Sequence, residues 1–414
     1  MPKICFYLSF DAIIKYMHNG ISSNNYISEV HLMFTGDIIG NLPILQDALG
    51  KGGDDYDFSD MLYDASRQLK QADLAIANIE GPIFKPPYTG YPLYNSPKKL
   101  VADAQAAGIS FFSTANNHSF DCGEKGLIST LDALDSLGCQ HTGTYRSGDE
   151  KDCTQGVCIT AAGDMRIAVL NYTYGINFIP ISKSQEGLIS IYNLDYDQDT
   201  LHLPNTELME KGLAYARLFA PDLIIVLMHW GLEEETEPNE YQRWIAQFLV
   251  SCGADLVVGN HPHVLQRYER LTVKRSDGSK RVGHVFYSLG NMLSNQSSLE
   301  NRVTVIPDIT LRHDKKSGRA VISGVGYVPY YMYFYHNAPF GDDSMPWGAQ
   351  RKLVNIHQVI RRFEHGERSE ILNEALYMQC LSALSHCHRV IGCIGDLELQ
   401  KEECDIRKER TAES

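Results

Sequence analysis

Five apolar runs of β type in this chain each lead into side chains able to bind a metal ion, which points to a sheet whose strand ends converge. The most telling pair is residues 222–228 (DLIIVLM), stopping at His229-Trp230-Gly231-Leu232-Glu233, and residues 254–258 (ADLVV), stopping at Gly259-Asn260-His261-Pro262-His263. Residues 30–34 (VHLMF) pass through Thr35 and Gly36, where a glycine lets the backbone turn, to reach Asp37. Residues 74–77 lead into Asn78 and Glu80, two positions apart and so on one side of a continuing strand. Residues 109–113 (ISFFS) lead into Asn116, Asn117 and His118, with Asp121 and Gly123 opening a helix.

Open α/β sheets take their ligands in the crevice beyond the carboxyl ends of strands, and imidazole is the commonest metal ligand at neutral pH. An apolar core gains nothing from this polarity repeated at five strand ends. Convergent titratable groups in a crevice mark function. The donors are Asp, Glu, Asn and His without sulfur, a set suited to one or two divalent ions, Mn, Fe, Zn or Mg, rather than to a structural thiolate zinc.

Between these runs, residues 58–70, 98–107, 126–137 and 240–251 carry helical patterns, so the chain reads as α/β, a sheet covered by helices. Residues 282–289, 303–311 and 319–328 read as late strands, and residues 275–280 (RSDGSK) as a hairpin turn. With 414 residues, 43% of them hydrophobic, the chain accommodates one large domain over residues 30–330, after an N-terminal segment 1–29. Residues 331–414 form an extension. In it, an aromatic cluster at residues 331–335 with Pro346 and Trp347 packs onto the domain, residues 350–393 are largely helical, and residues 407–414 are a polar tail.

The net charge of −14 repels polyanions, which argues against nucleic acid as a partner. An anionic polymer would need a local basic patch, and Lys85, Lys98 and Lys99 beside the Glu80 loop form the cluster nearest a motif. Of the ten cysteines, Cys380, Cys387, Cys393 and Cys404 crowd together without a zinc spacing, and His386-Cys387-His388 on a helix would point in different directions. Residues 4–10 (ICFYLSF) are interrupted by Asp11 and Lys15 with no small-residue cleavage site, and no run of 18 apolar residues exists. Reduced thiols and a cytoplasmic location are the default expectation, with no transmembrane segment. The oligomeric state is not legible.

The series TGD, NIEGP, NNHSFDCGEKGL, NYTYGIN, HWGLE, GADLVVGNHPHVLQ and YSLGN, from about His31 to about Val328, resembles the CapA family of capsule-synthesis proteins. That family is named for poly-γ-glutamate capsule biosynthesis and is related to the calcineurin-like metallophosphoesterases. The resemblance implies a four-layer α/β/β/α sandwich with a metal centre at the strand ends. It also implies membrane-anchored relatives outside the cell, unlike the location expected from the N-terminus. Carried over, Asp37 and His263 resemble ligands of a first metal and Glu80 a bridging carboxylate, while Asn117, His229 and His261 resemble ligands of a second. His118 resembles the histidine that assists the leaving group, and Asp121 is placed to orient its imidazole. Asn78, Glu233, Tyr287 and Asn291 stand near the pocket as candidate substrate-binding residues.

Two departures from the phosphoesterase pattern matter. Ile39 stands where those enzymes carry the histidine of an Asp-x-His pair, and Glu80 is longer than their bridging Asp. The resemblance therefore implies either a metal-dependent hydrolase, acting on a phosphoester or on an amide of a γ-glutamyl polymer, or a non-catalytic capsule-assembly component with a structural or vestigial metal centre.

Overall fold

The computed structural model of the protein describes residues 29–49, 55–193, 204–275, 277–313, 320–335, 350–391 and 395–397. The apolar stretch at residues 4–10, Pro346 and Trp347, Cys393, Cys404 and the tail at residues 407–414 lie outside the described residues.

The first half of the chain lays down parallel strands separated by helices. β1 (Val30–Ile39) precedes α1 (Leu42–Ala48) and α2 (Tyr63–Leu69), and β2 (Leu74–Glu80) precedes α3 (Lys98–Ala106). β3 (Phe111–Ser113) is followed by α4 (Gly123–Ser136), and β4 (Gln140–Thr142) by α5 (Gly148–Thr154). A second sheet comes from β5 (Cys158–Ala162), β6 (Met165–Thr173), α6 (Thr206–Arg217), β7 (Leu223–His229), α7 (Glu240–Cys252), β8 (Leu256–Asn260), β9 (Leu265–Lys274) and β10 (Lys280–Leu289). The chain then returns to the first sheet with β11 (Asn291–Leu293), α8 (Leu299–Arg302), β12 (Val303–His313), β13 (Ala320–Tyr335) and β14 (Gln350–Asn355). α9 (Ile356–Glu364), α10 (Glu374–Ile391) and β15 (Gly395–Asp396) end the described chain.

Sheet one has the order β14-β13-β12-β1-β2-β3-β4, with β11 also on β1 and β15 on β13; sheet two has the order β5-β6-β7-β8-β10-β9. Strand alternation divides their side chains into layers. Val30, Leu32, Phe34, Leu74, Ile76 and Phe111 of sheet one meet Leu223, Ile225, Leu227, Leu256, Val258 and Phe286 of sheet two in one apolar core. The opposite parity of sheet one (Met33, Ala75, Ala77, Ile79, Phe112) packs with Leu45, Leu69, Leu100 and Leu134 from α1 to α4. The opposite parity of sheet two (Ala168, Ile224, Val226, Met228) packs with Met209, Leu213, Ile245 and Leu249 from α6 and α7. Helix, sheet, sheet and helix are therefore stacked in four layers, the α/β/β/α sandwich.

Three sequence expectations change in detail. The chain does not turn at Gly36; β1 runs on to Ile39, its register on β2 shifting between Phe34 and Asp37 in the manner of a bulge. Gly36 is needed for close approach instead, because a Cβ there would lie 2.0 Å from the Gly290 carbonyl oxygen, beside the 3.0 Å bond from Asp37 N to that oxygen. Gly36→Ala is accordingly expected to lose about 2–3 kcal/mol of stability and to displace Asp37, measured by denaturant unfolding and by metal uptake.

Second, the boundary drawn at residue 330 falls inside β13, whose residues from Tyr330 to Tyr335 pair with β14. Third, residues 350–355 are a strand rather than the start of a helical region. α9 and α10 then add Val359, Leu376, Cys380, Ala383 and Cys387 to the inter-sheet core beside Tyr327 and Tyr331, covering inner face of sheet one at β13. The expected hairpin is present, with Lys274 opposite Lys280 in the β9–β10 pair. On α10, His388 pairs with Asp396 while His386 meets Arg389, so these neighbours do point apart. Among the described residues no helix is long and apolar enough to cross a membrane.

Candidate metal centre

The same alternation that builds the inter-sheet core delivers the polar side chains. On β2, Leu74 and Ile76 face sheet two, so Asn78 and Glu80 continue that stripe at the strand's end. On β7, Leu223, Ile225 and Leu227 are followed on the same face by His229. His261 and His263 follow directly on β8, and Asn117 and His118 lie in the turn after β3. Two stripes that are apolar along the strands become polar together at the carboxyl ends, between the sheets.

There the sequence-predicted ligands come together. Asp37, Glu80 and His263 each offer an atom within 4.8 Å of the others, and so do Glu233, His261 and His263. Glu80 Oε1 lies 3.7 Å from His263 Nε2 and 3.9 Å from His229 Nε2, between the two histidines. His229 Nε2 is 2.8 Å from Asn117 Oδ1, and His263 Nδ1 is 3.3 Å from Asp37 Oδ2. Asp37, Glu80, Asn117, His229, His261 and His263 are all buried.

The backbone around the paired histidines is under strain. His261 and His263 adopt φ of 99° and 57°, in the left-handed region that costs a side chain of this kind about 1 kcal/mol or more each. The His261 amide donates to Asp37 Oδ2 at 3.2 Å, and Asn291 Oδ1 is 3.0 Å from His263 Nδ1 while Asn291 Nδ2 donates to the His263 carbonyl at 3.1 Å. These bonds hold the strained segment against the first sheet.

Of the remaining predicted residues, Asp121 stands beside the His118 ring: its Oδ2 lies 2.7 Å from His118 Nδ1 and accepts the Tyr94 amide at 2.7 Å. Three of the four candidate substrate-binding residues are placed otherwise. Asn78 Nδ2 donates to Asp37 Oδ1 at 2.7 Å from a buried position, so it holds the Asp37 carboxylate in place. Asn291 does the same for His263. Tyr287 is not brought to the cluster: it has the opposite parity to Phe286, so its ring stacks on Trp230 in the helix-side core and its hydroxyl donates to Glu269. Only Glu233 is exposed, on the loop after β7.

Asn177 and Tyr174 join the site without having been singled out. Asn177 Oδ1 accepts from Asn117 Nδ2 at 3.2 Å, its Nδ2 lies 3.3 Å from His118 Nε2, and the Tyr174 ring lies 4.7 Å from that of His261. The string NYTYGIN contains both, and the left-handed φ of 50° at Asn177 is a conformation asparagine tolerates better than most residues.

The electrostatics of the cluster fit a divalent cation. Neither oxygen of the buried Glu80 carboxylate has a hydrogen-bond partner, and the buried Nδ1 atoms of His229 and His261 have none either. Burial, against the attraction of His263 and together with Asp37, Glu233 and Asp121, pushes the Glu80 carboxyl well above its usual range. Burial also opposes charge on His263, yet the Glu80 and Asp37 carboxylates, helped by Glu233, overcome it and lift that imidazole to about 10. Burial and the neighbouring histidines hold His229 and His261 well below their ordinary value, so both are neutral, the form that ligates metal. A carboxylate without a hydrogen bond, set among the neutral imidazoles of His229 and His261, the imidazole of His263 and the Asn117 amide oxygen, is a donor set that divalent ions satisfy.

The two depressed histidines also set a pH dependence. In the unfolded chain they bind protons below about pH 6.5, whereas the folded, metal-free protein refuses them until much lower pH. Their stabilising contribution is therefore present above that pH and is lost as pH falls below it. Thermal denaturation of metal-stripped protein is expected to show it: relative to His229→Asn, the wild-type melting temperature falls more steeply from pH 7 towards pH 5.

The family model described as Bacterial capsule synthesis protein PGA_cap matches residues 31–296. The capsule biosynthesis protein CapA of Bacillus anthracis is 26% identical over 301 residues, covering 71% of this chain and 66% of that protein. The PGA biosynthesis protein CapA of Bacillus subtilis is 27% identical over 224 residues, covering 53% of this chain and 51% of that protein. The matches thus span between half and two thirds of those relatives' lengths. Among solved structures, a calcineurin-like phosphoesterase from Bacillus subtilis aligns with a TM-score of 0.41 at 12% identity, over 87% of this chain and 99% of that one.

Proposed function

The chain belongs to the bacterial capsule synthesis family PGA_cap, and on that premise we propose that its strand-end cluster is a divalent-metal centre that hydrolyses a phosphoester in the making of a capsule polymer. The observation that carries this reading is Glu80, a carboxylate 1% exposed with both oxygens unpartnered and histidines on either side. No hydrogen bond satisfies that carboxylate in its buried place, and a divalent ion held between it and the histidines would do so.

Asp37, Glu80 and His263 would hold one ion, and Glu80, Asn117, His229 and His261 the other. Bound divalent ions supply a water acidic enough to ionise at neutral pH and draw charge from a phosphoryl oxygen. The protein's own part centres on His118. Asp121 fixes its Nδ1, so Nε2 is the nitrogen that delivers a proton to the departing oxygen. Asn177 holds Asn117 through its Oδ1, and its Nδ2 donates to His118 Nε2 only while that nitrogen is unprotonated, so it releases the imidazole when Nε2 takes up the proton.

A γ-glutamyl amide substrate finds less support, because two of the three lysines near the Glu80 loop are otherwise engaged. Lys99 pairs with Asp103 on its own helix, and Lys85 lies over the Phe84 ring. A non-catalytic role in polymer assembly is the competing reading, and Ile39 favours it by withholding a ligand. Purified protein assayed on a phosphomonoester and a phosphodiester with added Mn or Zn decides between them. Turnover that disappears in His229→Ala and His263→Ala supports the hydrolase; bound metal without turnover on either substrate supports the assembly role.

A further inference from the structure

The first ion position is short of a donor on the strand that should supply it. Ile39 follows Asp37 by two residues and pairs in register with Glu80. It is buried, and two residues after Asp37 on the same strand it has the parity of Asp37 and the opposite parity to Ile38, with no lone pair to offer. Asp37, Glu80 and His263 are left as a set of three.

A fourth donor reaches His263 from another loop, grouped there with His261 rather than with Asp37 and Glu80. Glu233 offers a carboxylate oxygen within 4.8 Å of ligand nitrogens on both His261 and His263. Its position is fixed from both sides of the sequence. Gly231 turns the chain with φ of 89°, and a Cβ there would collide with the Gln242 side chain at 2.8 Å. Immediately after Glu233, the Glu234 amide donates to the Pro262 carbonyl at 2.8 Å, and Gln266 Nε2 donates to the Glu235 carbonyl at 2.7 Å. Gln266 is itself held by Gln242 Nε2 at 2.8 Å, and Gln242 closes the capping box of α7. The loop that carries Glu233 is thus tied to the segment that carries His261 and His263, and an exposed carboxylate is anchored beside buried imidazoles.

We propose that Glu233 is a metal ligand, completing with Asp37, Glu80 and His263 the site that Ile39 leaves open. The assignment rests on the metal-centre reading and refines it. It replaces a histidine on the first strand with a carboxylate on the loop after β7, which adds negative charge to that ion's surroundings and favours a hard cation such as Mn or Mg over zinc.

The test is calorimetric titration of Mn into metal-stripped protein, with melting curves to confirm that each variant is folded. Wild type is expected to take up two ions. Glu233→Gln, a change at an exposed residue, is expected to weaken one of the two sites about 100-fold or more and leave the other unchanged. Adding Ile39→His to Glu233→Gln is expected to recover most of that affinity, because it returns a donor to Asp37's own strand. A Glu233→Gln protein that titrates as wild type overturns the assignment while the metal centre stands. Weakening without recovery in the folded double variant also overturns it, placing Glu233 with the ion of His261. Wild type that takes up no metal removes the centre itself.

Discussion

A Glu80→Gln protein is expected to purify folded, to bind at most one of the two ions and to lose hydrolysis by about 1,000-fold. In the proposed centre one carboxylate would serve both ion positions, so its loss would be felt by both. The substitution preserves shape and removes only the charge that the ions neutralise. Because burial, with Asp37, Glu233 and Asp121, outweighs the attraction of His263 and acts against that charge in the metal-free protein, Glu80→Gln stripped of metal is expected to melt above stripped wild type. Stability and metal affinity would then move in opposite directions. A variant that binds metal normally but melts lower would instead mark Glu80 as a structural carboxylate.

The second large effect is at His118. Replacing it with Asn is expected to leave both ions bound and to slow turnover about 100- to 10,000-fold, the range for losing a general acid. The size of the defect should follow the leaving group. A substrate that releases a nitrophenolate needs little help from a proton donor, so it should be affected least, and an alkyl phosphate most. Asp121→Asn should weaken the same step by less, since it removes the acceptor that fixes the imidazole. A uniform loss across leaving groups would reassign His118 to substrate binding.

Much of the site was legible because its ligands terminate apolar runs. His229, His261 and Glu80 could be read from strand ends, and the parity of Leu223, Ile225 and Leu227 already says on which face His229 emerges. Tyr287 was misplaced although the same parity count, started from Phe286, sends it to the helix side. Asn78 and Asn291 were close to the right place but beneath it, where they hold Asp37 and His263; sequence order cannot separate a residue that touches substrate from one that holds a ligand.

Other features depended on tertiary contacts. The bulge at Thr35 and Gly36 looks like a strand end because both carry a glycine, and it was the approach of the Gly290 carbonyl that settled the difference. Asn177 lies in a loop whose left-handed backbone has no period to read. The extension of sheet one by β14 was hidden in a stretch whose aromatic residues read as a cluster packed onto the domain. Tyr331 and Tyr333 instead alternate with Tyr330 and Met332 across the two faces of β13.

The central claim is that the strand-end cluster binds metal, and the number of ions per chain tests it most directly. Elemental analysis of wild type dialysed against Mn or Zn, beside His229→Ala treated identically, is predicted to give about two ions for the wild type and fewer for the variant. Less than one ion in folded wild type, equal to that in the variant, would contradict it.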